Sequence, residues 1–183
     1  MLSEGDKAPS FELQADLGKS VTKEFSLKEA LKEGDLVLYF YPKDNTPGCT
    51  REAQAFAEAS RKLSAAGATV AGVSKDSIKS HCGFREKYAL NFPLLSDPDL
   101  AVHKAYGAYG EKTMYGKKVL GTIRSTFLIG RDGKVVRAWR GVKVDGHVDA
   151  VLAALKGEGE TPAKKASAKK TSAAKKTSAA KKK

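Results

Sequence analysis

Cys49 is the residue whose type and position most clearly suggest chemistry. It follows Thr46-Pro47-Gly48, a turn in which Thr46 is predicted to cap a helix and Pro47 to occupy its first position. Cys49 would then lie in the first helical turn, where unpaired amide hydrogens and the helix dipole favour an anion. Because the thiolate is the nucleophilic form of cysteine, Cys49 is predicted to ionise readily and to attack a substrate. The alternative is that Cys49 is a small buried packing residue.

Cys82 is the second of the two cysteines in the 183 residues. Two cysteines cannot build a disulfide framework in a chain of this size, and in a reducing compartment paired cysteines are more often catalytic than structural. The first residues contain no apolar export signal, which predicts a cytoplasmic protein. The longest apolar run, residues 36–41, is far shorter than the ~18 residues that span a bilayer, so a membrane protein is not expected.

The elements that position Cys49 form a predicted β-α-β unit. Residues 36–41 are a continuous apolar run, which is typical of a strand covered on both faces. Helical spacing follows through Phe56 and Leu63 to Gly67, and residues 68–74 have the pattern of a second buried strand. Cys49 therefore follows the carboxyl end of a strand, where open α/β sheets usually place their ligands.

The remaining patterns predict a mixed α/β sheet flanked by helices and preceded by a β-hairpin. Ser26 and Glu29 form a capping box, Asp76-Ser77 caps a helix that runs to about residue 89, and Asp97 caps another with Pro98 first. An Asp-Gly turn at residues 132–133 predicts two antiparallel strands, residues 121–129 and 134–140. A last apolar helical stripe ends at Gly157, which gives a folded domain of residues 1–157.

Several segments resemble one known family over about residues 3–156. They are Pro42-Lys-Asp-Asn-Thr46-Pro-Gly-Cys49-Thr-Arg-Glu-Ala, Gly72-Val-Ser-Lys-Asp-Ser77, Phe92-Pro-Leu-Leu-Ser-Asp97, Met114-Tyr-Gly-Lys-Lys118 and Arg124-Ser-Thr-Phe-Leu-Ile129. The first is similar to the peroxidatic motif of peroxiredoxins, in the form typical of the bacterioferritin comigratory protein, or Q-type, subfamily. The resemblance implies a thioredoxin-like fold and reduction of hydrogen peroxide or organic hydroperoxides without metal, haem or flavin.

The resemblance also implies a role for each motif residue. Cys49 is the peroxidatic cysteine, Pro42 shields the pocket, Thr46 hydrogen-bonds the peroxide and Arg124 completes the site. Donors are needed because the leaving oxygen develops negative charge as sulfur attacks the O–O bond. His103 and His147 have no spacing that suggests a metal site.

Cys82 is assigned as the resolving cysteine. Many members of the subfamily carry a second cysteine five residues after the first, where this chain has Gln54, whereas some carry it in the helix that holds Cys82. Resolution forms a Cys49–Cys82 disulfide, which thioredoxin or a similar dithiol then reduces. The alternative is that Cys82 is a packing residue. The enzyme would then work with one cysteine and an external thiol. His81 is expected to be a solvated surface residue rather than a base for Cys82. A monomer is the expectation from the subfamily.

A dithiol oxidoreductase without peroxidase activity is disfavoured, because Glu52 stands where such enzymes usually have their second cysteine.

The C-terminal segment carries most of the positive charge. Of a net charge of +12, nine lysines lie in residues 161–183 without any acidic residue, which leaves +3 for the first 160 residues. With no large apolar side chain, residues 158–183 are predicted to be a disordered basic tail. The tail resembles the lysine-rich tails of linker histones, which implies non-specific nucleic-acid binding and nucleoid association. A solubilising extension is the alternative.

Overall fold

The computed structural model describes residues 1–157, and the predicted basic tail lies outside the described residues. The strands are β1 (Glu12–Asp16), β2 (Thr22–Ser26), β3 (Asp35–Phe40), β4 (Ala68–Ser74), β5 (Leu94–Ser96), β6 (Tyr109–Met114), β7 (Lys117–Thr122), β8 (Ser125–Ile129) and β9 (Val135–Arg140). The helices are α1 (Leu27–Glu33), α2 (Pro47–Ala65), α3 (Ile78–Tyr88), α4 (Ala101–Ala105) and α5 (His147–Leu155). No helix among these is both long and apolar enough to cross a bilayer.

Seven strands form one mixed sheet in the order β2-β1-β5-β4-β3-β8-β9. The central strand β3 is parallel to β4 and antiparallel to β8, and β1 and β2 form the predicted N-terminal hairpin. This is the thioredoxin-like α/β arrangement that the resemblance implies. The predicted β-α-β unit is confirmed, with β4 at the predicted residues.

The apolar run of β3 divides between two cores because alternate side chains of a strand point to opposite faces. Tyr39 belongs to a cluster with Phe56 of α2 and Val151 of α5. Phe40 belongs to a second cluster, together with α1 and α4. A strand buried on both faces needs apolar residues at every position, which explains the absence of alternation in its sequence.

The start of α2 follows the prediction closely. Thr46 is the N-cap with extended backbone angles, and Pro47 is the first helical residue. The Thr46 carbonyl accepts a hydrogen bond from the backbone N–H of Thr50 over 2.9 Å. The Thr46 hydroxyl does not cap the helix; instead it donates to the carbonyl of Lys43 over 3.0 Å. The helix therefore begins at Pro47, with Cys49 in its first turn.

Two boundary predictions are wrong. The predicted strand over residues 121–129 is two strands, because Gly121 pairs with Gly110 in a separate two-stranded sheet of β6 and β7, and β8 begins only at Ser125. Asp97 does not cap a helix at Pro98, since α4 begins at Ala101 after a left-handed residue. Its carboxylate instead accepts from the backbone N–H of His103 over 2.9 Å and contacts the Nδ1 atom of the same residue over 2.6 Å.

Candidate active site

Cys49 lies in the first turn of α2, directly after the loop that leaves the carboxyl end of β3. Its side chain is 1% exposed and its thiol is free. The first turn of a helix has backbone N–H groups without intrahelical partners, so the surroundings of the sulfur favour negative charge. The burial of Cys49 by itself would fit a packing residue. The charged group beside its sulfur instead favours a nucleophile.

Arg124 is the cation at the cysteine sulfur. Its Nη2 atom lies 3.2 Å from Sγ of Cys49, and its Nη1 atom is in close contact with the carboxylate of Glu52. Burial alone would lower the pKa of Arg124, but Glu52 and Cys49 together raise it above the ordinary value, so the guanidinium stays charged. The sequence separates Arg124 from Cys49 by 75 residues, and the pairing of β8 with β3 brings them together.

Thr46 and Pro42 lie in the loop before the cysteine, and both are half-buried. The Thr46 hydroxyl donates its proton to the carbonyl of Lys43. Its oxygen then has lone pairs with which it can accept a hydrogen bond from a bound hydroperoxide. The structure thus brings four of the five predicted site residues to one edge of the sheet, at the start of α2.

Glu52 is a site residue that the sequence analysis did not select. It is 1% exposed, and its Oε1 atom has no hydrogen-bond partner among residues 1–157. Burial raises the pKa of Glu52 to about 7, although Arg124 acts in the opposite direction. The position three residues after Cys49 was a usable signal, because residues i and i+3 of a helix share a face.

Burial and the charge of Arg124 lower the pKa of two further titratable groups, His147 and Lys112. Burial, followed by the charge of Arg124, lowers the pKa of His147 to about 4, so its ring is neutral near pH 7. Its Nε2 atom lies 2.7 Å from the hydroxyl of Thr126. Lys112 of β6 donates to the carbonyl of Thr122 over 2.8 Å, and its pKa is lowered by burial and by Arg124. The β6–β7 hairpin therefore brings a second cation toward the site.

Cys82 lies on α3, away from the cysteine of α2. It is half-buried, and its pKa is raised by burial and by the neighbouring Asp16 of β1. Two strands, β5 and β4, separate β1 from β3 in the sheet, so three interstrand spacings of ~4.8 Å place those strands about 14 Å apart. A disulfide needs Cα atoms within roughly 7 Å. The structure does not bring Cys82 to Cys49.

His81 is not a surface residue, contrary to the prediction. Its side chain is fully buried, with Nδ1 2.8 Å from the carboxylate of Asp44 and Nε2 3.1 Å from the carbonyl of Leu95. Both ring nitrogens are thus occupied, so His81 is not a base for Cys82. Nothing in the sequence of α3 indicated this, because a buried histidine that contacts a loop carboxylate leaves no local sequence pattern.

Residues 1–157 contain no group of three or more His, Cys, Asp or Glu side chains that could hold a metal ion.

A thioredoxin-like fold with a buried cysteine at a helix start, and a guanidinium on its sulfur, is the arrangement of thiol-dependent peroxidases. Residues 4–138 match the AhpC/TSA family. The peroxiredoxin Bcp of Xanthomonas campestris pv. campestris is 57% identical over 121 residues, which are 66% of this chain and 76% of the relative. The chain belongs to the AhpC/TSA family, as a peroxiredoxin of the Bcp or Q type, and is a thiol-dependent peroxidase.

Two solved structures agree with this assignment. The bacterioferritin comigratory protein of Xanthomonas campestris, studied for its alkyl peroxide reduction activity, is 48% identical with a TM-score of 0.73, over 82% of this chain and 92% of that one. A cysteine-to-serine mutant of PrxQ from Xylella fastidiosa is 43% identical with a TM-score of 0.77, over 87% and 99% of the two chains.

Proposed function

We propose that Cys49 reduces hydroperoxides by direct attack of its thiolate on the O–O bond. The sulfur bonds to the terminal hydroxyl oxygen, the O–O bond breaks, and the remaining oxygen leaves as an alkoxide or hydroxide that takes up a proton. Cysteine is oxidised to a sulfenic acid, and the peroxide is reduced to an alcohol or water. The contact of 3.2 Å between Arg124 Nη2 and Cys49 Sγ carries this proposal, because a fixed cation stabilises both the thiolate and the negative oxygen.

The other loop residues would hold the peroxide in line with the sulfur. Thr46 accepts the hydrogen bond of the peroxide hydroxyl, and the backbone N–H groups at the start of α2, with Arg124, donate to the oxygens that gain charge. Pro42 shields the pocket from water.

The proposed substrates are hydrogen peroxide and organic hydroperoxides. Support for the organic class comes from the similar Xanthomonas protein and its alkyl peroxide reduction. No residue of the proposed chemistry distinguishes the two classes, because the attacked atom is the terminal hydroxyl oxygen in both.

We propose that Cys82 resolves the sulfenic acid as a disulfide, which thioredoxin or a similar dithiol then reduces. The thiol of Cys82 forms the S–S bond, and its proton leaves with the hydroxyl of the sulfenic acid as water. Because Cys82 lies beside Asp16 and far from the start of α2, the helix α3 or the Cys49 turn must rearrange in each cycle. The same separation favours the second candidate, a one-cysteine peroxidase that an external thiol reduces.

One experiment tests the peroxidase and the resolving cysteine together. The reduced protein receives one equivalent of hydrogen peroxide, and its intact mass and non-reducing peptide map are recorded. Loss of two hydrogens with joined Cys49 and Cys82 peptides supports the two-cysteine cycle. Addition of oxygen on Cys49 alone supports the one-cysteine cycle, and no rapid change on Cys49 refutes both. The Cys49→Ser variant is the control for each product.

For the basic tail, which the structure does not describe, we propose non-specific binding to nucleic acid. Its nine lysines without acidic neighbours suit phosphate neutralisation with strong salt dependence. A chain truncated before Thr161 should keep its peroxidase activity and lose duplex binding at low salt. Equal binding by the truncated chain would refute the proposal. A cytoplasmic monomer, associated with the nucleoid through this tail, is the form we propose for the cell.

A further inference from the structure

Asp44 joins the loop before Cys49 to the helix that carries Cys82. One of its carboxylate oxygens accepts from the Ser80 hydroxyl over 2.7 Å and lies 2.8 Å from Nδ1 of His81. The other accepts from the hydroxyl of Tyr41 over 2.7 Å. Asp44 is 4% exposed and His81 is fully buried, so water cannot easily replace these bonds. We call the contacts of Ser80 and His81 with Asp44 the loop–helix latch.

The backbone strengthens the latch on both sides. The backbone N–H of Asp44 donates to the Asp76 carboxylate over 2.9 Å, just before α3 begins. On the other side, the second ring nitrogen of His81 faces the carbonyl of Leu95 in β5. Both ring nitrogens of His81 therefore have an oxygen within hydrogen-bond distance. The first turn of α3 is therefore fixed to the active-site loop and to the sheet.

The latch lies next to Cys82 in the chain but on another side of the helix. Successive helical residues point about 100° apart, so His81 faces the loop while Cys82 lies beside Asp16. When α3 is the element that rearranges, its first turn leaves this position as Cys82 moves to the sulfur on α2. That movement breaks the bonds of Ser80 and His81 to Asp44.

We propose that the loop–helix latch sets the rate at which Cys82 resolves the sulfenic acid of Cys49, with Asp44, Ser80 and His81 as positioning residues. This inference rests on the proposed role of Cys82. The sulfenic acid has two fates: the Cys82 thiol displaces its hydroxyl as water to form the disulfide, or a second hydroperoxide oxidises it to sulfinic acid and is itself reduced. A closed latch slows the first reaction and leaves more time for the second.

The test uses Ser80→Ala in the full chain, because Ser80 is only half-buried and its loss removes one hydrogen bond of the latch. After one equivalent of hydrogen peroxide, rapid quenching and mass spectrometry give the rate of disulfide formation. We expect this rate to rise by about tenfold, the effect of one lost hydrogen bond to a charged group. The sulfinic acid formed in excess peroxide should fall, and the rate of Cys49 oxidation should not change. Ser80→Thr, which keeps the hydroxyl, should restore the slower disulfide formation.

Asn91→Ala is the matched control. The Asn91 side chain donates to the carbonyl of Ala57 over 3.2 Å and to the hydroxyl of Ser60 over 2.9 Å, so it ties the chain after α3 to α2 without touching Asp44. Equal acceleration by this variant would mean that general loosening, and not the latch, controls resolution.

Hydrogen exchange of the reduced protein separates the two proposals. Faster exchange confined to residues 78–82 in Ser80→Ala, together with faster disulfide formation, supports the latch. Faster exchange with an unchanged rate overturns it as the control of resolution. If the wild-type protein forms no Cys49–Cys82 disulfide, the resolving role of Cys82 fails and the inference falls with it, and the peptide map identifies that case.

Discussion

Glu52 lies one helical turn after Cys49 and shares a single guanidinium with it. Arg124 contacts the carboxylate with Nη1 and the sulfur with Nη2. When both acids are ionised, one cation serves two anions, so the charge of Glu52 bears on the environment of the nucleophile. The burial that raises the pKa of Glu52 to about 7 places this effect near physiological pH.

Arg124→Lys should reduce the rate of Cys49 oxidation by roughly 10²-fold, which is the size of effect seen when one donor to a developing anion is lost. Lysine keeps the charge, but a single ammonium group cannot hold the carboxylate and the sulfur as the planar fork does. Stopped-flow kinetics with hydrogen peroxide measures the rate. Arg51→Lys, at an exposed ion pair with Asp145, is the control, and its rate should equal that of the wild-type protein.

Glu52→Gln should change how stability depends on pH. The pKa of Glu52 is about 7 in the folded chain and its ordinary value is 4.5, so the folded state binds more protons between these values. Relative to the variant, the wild-type protein should lose stability as pH rises from about 4.5 to 7, by up to about 3 kcal/mol. Urea unfolding at intervals of one pH unit gives the free energy of unfolding of both proteins. If the two free energies change with pH in parallel, this expectation is contradicted.

His147 should contribute to the pH dependence with the opposite sign. Its pKa is lowered from 6.5 to about 4, so the folded state binds fewer protons and stability falls as pH decreases from 6.5 through 4. A proton NMR titration of the His147 ring should show the neutral form at pH 6. Titration of this ring near pH 6.5 would mean that neither burial nor Arg124 acts on it.

Asp16→Asn should make the Cys82 thiol ionise at lower pH, because Asp16 helps to raise its pKa. The substitution also breaks the buried pair of Asp16 with Arg85, whose Nε lies 2.9 Å from the carboxylate, at a cost of about 3–5 kcal/mol. The rate of alkylation of Cys82 as a function of pH measures the ionisation, and urea unfolding measures the cost. An unchanged alkylation profile in a folded variant would show that Asp16 does not raise the pKa of the Cys82 thiol.

Gly72→Ala should destabilise the protein by about 1–3 kcal/mol. A Cβ at residue 72 would lie 2.8 Å from the ring of Tyr39, which is fully buried and stacks on Phe56 with ring centroids 4.7 Å apart. Gly83→Ala is the matched control, since its Cβ would meet no atom within 4 Å and alanine favours a helix by up to about 1 kcal/mol. The midpoint temperature of thermal unfolding should fall for Gly72→Ala and rise for Gly83→Ala.

The sequence was most informative where local chemistry decides the structure. The start of α2 coincides with Thr46 at the N-cap position and Pro47 at the first helical position, and β3 follows from its apolar run. By contrast, the position of Asp97 depends on a buried histidine six residues later, which competes with the helix for its carboxylate. The burial of His81 depends on Asp44 across the fold, 37 residues away, and no pattern within α3 records that contact.

The same limit applies to the site. The motif predicted Cys49 and Thr46 in one loop, because both belong to one local segment. Only the family resemblance predicted that Arg124 would lie at the sulfur. Neither the motif nor the resemblance predicted its contact with Glu52, because strand pairing brings these residues together. The distance of Cys82 from Cys49 depends on strand order, which spacing along the chain does not give.

The β6–β7 hairpin forms its own sheet and pairs with no strand of the central one within residues 1–157. Its side chains are therefore largely free of the packing demands that constrain the core, while Lys112 still reaches the charged surroundings of Arg124. Substitutions in the hairpin can alter what approaches the cysteine while leaving the machinery of attack intact.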